Sequence, residues 1–194
     1  MRLEAFVGRY RWSILIVLAA AALWWPAFNY LVDFRDPDVP FVATPSDVVA
    51  AILDLAEVTA ADTVFDLGAG DGRIVVAAVR DHGARAVGIE IDPELADRAR
   101  AAIQAAGVAG RAELRRGDLF KEDLSPATVV TLYLTPSLNA QLRPQLERLR
   151  PGARIVSHMF SMPGARPATT VTVKSAETGA DHLLYLWVAP IRWE

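Results

Sequence analysis

The hydrophobic pattern changes character near residue 33. Residues Trp12 to Val32 (WSILIVLAAAALWWPAFNYLV) carry no charge over 21 positions, a length that spans a bilayer. Beyond them the apolar runs are short and alternate with helical periodicity. Thr44-Pro45-Ser46-Asp47 predicts a helix start, with Thr44 as N-cap, Pro45 at the first position and Asp47 at the capping-box place. Val48, Ile52 and Leu55 form its apolar face. Strands are predicted over 63–67, 86–91, 112–116, 128–134 and 154–160. Helices are predicted over 73–81, from Asp92-Pro93 to about Ala106, where Gly107 stops it, and from Thr135-Pro136. The last has Leu138, Leu142, Leu146 and Leu149 on one face and a kink at Pro144. Val171–Ser175 and Leu183–Val188 read as a hairpin around Thr178-Gly179, and Ser161–Thr170 is a loop where a helix would normally connect the fifth and sixth strands. The alternation predicts an α/β fold, a parallel sheet with helices on both faces, closed by the antiparallel hairpin.

Composition sharpens the division. The chain is 53% hydrophobic, high for a soluble domain, and much of the excess sits at the front. Trp12, Trp24, Trp25 and Tyr30 lie near the ends of the uncharged run, as interface anchors do. Pro26 is tolerated in a membrane helix. The reading is an anchor over 1–32, a Pro- and Asp-rich linker over 33–43 and a folded domain over 44–194. A cleaved signal peptide is the alternative: Arg2, Arg9 and Arg11 supply the charged start, and the alanines at 19–22 a cleavage site. The apolar run continues through two tryptophans past those alanines, which favours an uncleaved transmembrane helix. Of 20 basic and 23 acidic residues, three arginines and one glutamate precede residue 33, so the remainder carries −5. That is no footprint for a phosphate backbone, and no nucleic-acid partner is expected. There are no cysteines, hence no disulfide and no thiol nucleophile. His82, His158 and His182 lack metal-ligand spacing, so no metal is expected.

The chemistry concentrates where the first strand ends. Thr63-Val64-Phe65 leads into Asp66, and Gly68, Gly70 and Gly72 follow at every second position before the helix beginning at Arg73. A strand, a glycine turn and a helix N-terminus make a place for a polar cofactor. The dinucleotide fingerprint G-x-G-x-x-G fails at Arg73. A second carboxylate, Glu90, ends the next strand 18 residues after Gly72, and Asp118-Leu119-Phe120 follows the third.

These three motifs in order resemble the class I S-adenosylmethionine (SAM) methyltransferases, whose Rossmann-like seven-strand sheet ends in an antiparallel hairpin. By that resemblance Glu90 takes the two ribose hydroxyls and Asp118 meets the adenine amino group. Asp66, Gly68, Gly70, Leu119 and Thr44 complete the SAM site. Asp71 either joins it or caps the helix. A closer resemblance rests on the uncharged anchor, Pro40-Phe41-Val42-Ala43-Thr44-Pro45, Asp66 to Arg73, Asp118-Leu119-Phe120-Lys121, Val129-Val130 and Arg154-Ile155-Val156. Over roughly residues 38–162 the chain is similar to the membrane-anchored lysine methyltransferases of the ATP synthase c-subunit and the adenine nucleotide translocase, and their bacterial relatives. The resemblance implies methyl transfer to a lysine amine of a membrane-associated protein, with the bilayer as a partner. A lipid or small hydrophobic acceptor is an alternative, as is a non-catalytic SAM-binding assembly factor. No Asn-Pro-Pro-Tyr signature is present, against an adenine or glutamine amide acceptor.

Tyr133, Thr135 and His158 lie at the C-terminal ends of the fourth and fifth strands, where open α/β sheets bind ligands. They are the candidates for positioning the acceptor. Location carries a conflict. The arginines ahead of the anchor place the domain outside the cell by the positive-inside rule, whereas SAM is cytoplasmic. The cofactor requirement decides for a membrane-anchored domain on the cytoplasmic side.

Overall fold

The computed structural model describes residues 40–193. The uncharged run over 12–32 and the linker as far as residue 39 lie outside the described residues. Among the described residues no helix is long and apolar enough to cross a membrane.

The elements run α1 (Ser46–Leu55), β1 (Thr63–Leu67), α2 (Arg73–His82), β2 (Arg85–Glu90), α3 (Pro93–Ala105), β3 (Ala112–Arg116), β4 (Val129–Leu132), α4 (Pro136–Gln141), α5 (Arg143–Leu146), β5 (Arg154–His158), β6 (Thr169–Lys174) and β7 (Asp181–Val188). The seven strands lie in the order β3-β2-β1-β4-β5-β7-β6. β3 to β5 are parallel, and β7 inserts antiparallel between β5 and β6. The order reverses at β1, between β2 and β4, so the C-terminal ends of these strands form the crevice in which open sheets take ligands.

Side-chain alternation sorts the core into two layers. Val64, Ala86, Val129, Val156 and Leu184 pack under α1, α2 and α3. Phe65, Leu67, Val130, Leu132, Ile155 and Trp187 pack against α4, α5 and the C-terminal segment. Two residues along from Val64 and Val129, Asp66 and Thr131 therefore face the α1–α2 side as neighbours in register. His158 follows Val156 onto that same face.

Several boundaries differ from the expectations drawn from sequence. α1 starts at Ser46 with Pro45 as N-cap, not Thr44, whose hydroxyl is drawn instead to a histidine across the sheet. Asp47 closes no capping box; its carboxylate accepts from the Ser175 hydroxyl and the Ala176 N–H, tying α1 to the β6–β7 turn. The long leucine helix is two short ones, because Pro144 lacks the N–H that would continue the ladder. β4 ends at Leu132 and β5 at His158, where Met159 turns to φ 63° and the chain leaves the sheet. The loop in place of a sixth-strand helix is present, closed by a bridge between Ala165 and Trp193. At the opposite end of the sheet, Asp62 accepts from Thr128 and pairs with Arg154, a buried cluster that closes the strand starts and takes no part in the crevice.

Candidate active site

The turn after β1 is held by β2. The N–H groups of Gly68 and Ala69 both donate to the Ile89 carbonyl at 2.9 Å. Gly70 takes φ +55°, and a Cβ there would stand 2.3 Å from the Phe41 ring, so backbone is exposed to close approach. Gly72, at φ +79°, is the N-cap of α2 with no side chain capping it, and a Cβ there would meet Ala99 at 2.9 Å.

Glu90 is the hub. Its Oε2 accepts from Gly70 N–H at 2.7 Å, and its Oε1 from Ile91 and Asp92 N–H at 2.9 and 3.0 Å. At 6% exposure it is buried among backbone donors that orient the carboxylate at the sheet edge. Asp66 stands beside it. Burial pushes the Asp66 carboxyl up to about 7; a hydrogen bond from Thr131 at 2.7 Å opposes this, and the charges of Glu90 and Asp71 add to it. The Glu90 and Asp71 charges thus disfavour ionisation of Asp66, and a cation beside it would reverse that.

Asp71 is committed elsewhere. Arg73 donates to both its oxygens, at 2.9 Å from Nε and 2.5 Å from Nη2, and these bonds hold the Asp71 carboxyl below the usual range. It does not cap α2 through a full side-chain bond; only a long 3.3 Å contact reaches the Arg73 N–H. Arg73 also donates to the Thr44 carbonyl at 2.5 Å, stapling the glycine turn to the strap that carries Phe41. In the sequence Arg73 stands within a motif but receives no role of its own. A long cation opening a helix next to an aspartate was the available signal.

Gly117 N–H donates to the Glu90 carbonyl at 2.9 Å, which sets the loop after β3 beside the end of β2. There Asp118 caps a short 3₁₀ turn (Leu119–Lys121), accepting from Phe120 N–H at 3.0 Å.

A second group lies across the crevice. Thr44 Oγ1 meets His158 Nδ1 at 3.2 Å, and His158 Nε2 meets His182 Nδ1 at 2.8 Å. Tyr133 packs on His158 with ring centroids 4.1 Å apart, and half-exposed Phe160 stacks on Tyr133. His158 is 1% exposed with both ring nitrogens taken. Its ring packs against Tyr133, so it reaches the crevice through that side chain. Thr135 pairs with Ser137 at 3.0 Å and is not drawn to the others. His182 and Thr131 carry no role in the sequence-based expectation. Thr131, a lone polar residue in the four-residue buried strand VVTL, was detectable.

Burial, then the neighbouring His182, lowers the His158 pKa from 6.5 to about 4. A histidine depressed in the folded state stabilises above its unfolded pKa, and that stability is lost as pH falls from 6.5 towards 4. The contribution is at most about 3 kcal/mol. The stability difference between wild type and His158→Asn, from urea unfolding, is expected to shrink over that window. A difference independent of pH would show that folding does not lower the His158 pKa.

A doubly wound sheet with a glycine turn at its switch point, two carboxylates at adjacent strand ends and a third motif after β3 defines a SAM-dependent methyltransferase. The donor set fits SAM: carboxylates suit an ammonium and a ribose diol, and Gly70 leaves room where a side chain would intrude. When bound, SAM supplies an electrophilic methyl group on its sulfonium.

The family can be named more closely. The ANTKMT methyltransferase domain matches residues 66–169, and the chain belongs to that family. It is 44% identical to a protein-lysine N-methyltransferase of Saccharolobus islandicus, over 78% of this chain and 94% of that one. It is 36% identical to the mouse adenine nucleotide translocase lysine N-methyltransferase over 69% of this chain, but spans only 58% of that longer protein. Among solved structures, an RNA methyltransferase from Salinibacter ruber in complex with S-adenosylhomocysteine aligns with TM-score 0.69 and 51% identity, covering 76% of this chain and 93% of that one.

Proposed function

We propose that this protein transfers methyl groups from SAM to the lysine side-chain amine of a membrane-associated protein. The observation that carries the reading is the 44% identity to the archaeal protein-lysine N-methyltransferase across nearly all of that relative. In this reading Glu90 holds the ribose, Asp118 and Leu119 the adenine, and Asp66 with the Gly68–Gly70 backbone the amino-acid end of SAM. Tyr133 and Phe160 line the acceptor side, where apolar rings lower the dielectric around an amine that must lose its proton, against a free lysine pKa near 10.4. The protein's contribution is orientation for an in-line displacement.

A membrane-associated acceptor is supported by the uncharged run over 12–32 and by the mouse relative, which is named for a translocase. We place residues 1–32 as the anchor, 33–43 as the linker and 44–194 as the methyltransferase domain on the cytoplasmic side. An RNA acceptor is a second reading, raised by the Salinibacter relative, which is named an RNA methyltransferase. The charge of −5 beyond residue 32 speaks against it.

The test is mass spectrometry of membrane proteins and of total RNA from a deletion strain and its complemented parent. A lysine methyl mark lost on deletion and restored on complementation is the expected result; a lost RNA mark with intact lysine marks would favour the second reading. Deleting residues 1–32 should leave SAM binding unchanged and remove most activity on native membranes, since confinement raises the local concentration of a membrane-embedded acceptor without new contacts. Full activity of the truncated protein on intact membranes would point to a soluble acceptor.

A further inference from the structure

Gln145 sits on α5, between the fully buried Leu142 and Leu146, and is itself only 6% exposed. Its Nε2 donates to the Leu119 carbonyl at 3.0 Å and to the Glu122 carbonyl at 2.9 Å. Both partners are acceptors only, so the amide orientation is determined by chemistry: the NH₂ must face them. The two carbonyls bracket the 3₁₀ turn Leu119–Lys121, which begins one residue after Asp118. The Lys121 N–H closes the start of the turn on the Asp118 carbonyl at 2.9 Å, but the Glu122 N–H reaches the Leu119 carbonyl only at 3.4 Å, so the weakly closed part is the exit that Gln145 holds. Its entry is fixed separately, by Gly117 N–H on the Glu90 carbonyl at 2.9 Å.

We infer that Gln145 is a positioning residue for base recognition: it clamps the Leu119–Glu122 turn so that Asp118 is aimed at the exocyclic amino group of the cofactor's purine. This rests on the assignment of Asp118 to the adenine. Gln145 touches no cofactor atom in this scheme. It acts through the two carbonyls, and its own rigidity comes from the leucines that root α5 in the core. The clamp crosses 23 to 26 residues of sequence, and α5 follows directly on α4 and the Tyr133–Thr135 segment, so the purine side and the acceptor side of the crevice share one support.

The experiment compares S-adenosylhomocysteine with its analogue lacking the purine 6-amino group, by calorimetric titration of wild type and Gln145→Leu. Gln145→Met, closer in shape and uncharged, serves if the leucine variant does not unfold cooperatively. Wild type should prefer the amino-bearing ligand. In the variant that ligand should bind about tenfold more weakly, the worth of roughly one aligned hydrogen bond, while the desamino analogue binds as before. Equal weakening of both ligands would make Gln145 a general structural residue and overturn the inference, as would an undiminished preference. No preference in wild type would instead remove the Asp118 assignment itself, and the inference with it.

Discussion

Glu90→Ala is expected to weaken SAM binding by at least about 2 kcal/mol, roughly thirtyfold, and to destabilise the cofactor-free protein as well. The two effects have one cause. The Glu90 carboxylate satisfies three backbone N–H groups, from Gly70, Ile91 and Asp92, and alanine leaves all three without that acceptor in a buried setting, at about 1–3 kcal/mol for each one that water cannot reach. Glu90→Gln does not restore the arrangement. An amide has one acceptor oxygen; if it serves Ile91 and Asp92, its NH₂ faces the Gly70 N–H, donor against donor. Glutamine should therefore disturb the glycine turn while keeping the side chain's volume. The ribose role separates from the structural role by ligand: wild type should prefer S-adenosylhomocysteine over its 2′-deoxy analogue, and Glu90→Gln should lose that preference. If Glu90→Gln keeps it in full, Glu90 supports the turn and does not hold the ribose.

Asp66→Asn is expected to move stability and binding in opposite directions. The Asp66 carboxyl is raised by burial, with Glu90 and Asp71 adding to it, from 3.8 to about 7. A carboxyl raised on folding costs nothing while both states are protonated. Its cost accumulates as pH rises from 3.8 to 7 and is full above 7, reaching an upper limit of about 4 kcal/mol. Asparagine keeps an oxygen for the Thr131 hydroxyl and removes the charge. The cofactor-free variant should thus be more stable than wild type at pH 8, and the two should converge near pH 4. Binding should behave the other way. A cationic ligand group offsets the repulsion that Glu90 and Asp71 exert on Asp66, so wild-type SAM affinity should rise between pH 6 and 8 as Asp66 ionises, while the variant binds more weakly with a flatter profile. Urea denaturation and calorimetry over that range measure both. A variant that is stabilised yet binds SAM like wild type would assign Asp66 to the fold alone. The Asp66 and His158 contributions have opposite slopes between pH 4 and 6.5 and offset one another there, so the single variants are needed to expose each one.

How much of this was legible in the chain follows from the range of the forces involved. Local sequence determined the alternating elements, the glycine turn after Phe65-Asp66, the carboxylate ending β2 and the loop at Asp118, because period, turn chemistry and strand ends are set by near neighbours. It also marked the place of a polar cofactor, and the resemblance of these motifs to the SAM methyltransferases supplied its class. The partnerships across the sheet were decided only by tertiary structure. Thr44 reads as an N-cap, yet its hydroxyl goes to His158, 114 residues away. Asp47 reads as a capping-box residue, yet it ties down Ser175 and Ala176. His158 looks like an acceptor-side group at a strand end, but strand alternation turns it under α1, where burial depresses its pKa. For Thr44 and Asp47 a short polar side chain had a local partner of about the same worth as a distant one, and a net hydrogen bond of about 1 kcal/mol does not choose between them. The packing of the sheet against α1 and α2, which fixes what each buried polar group can reach, made the choice.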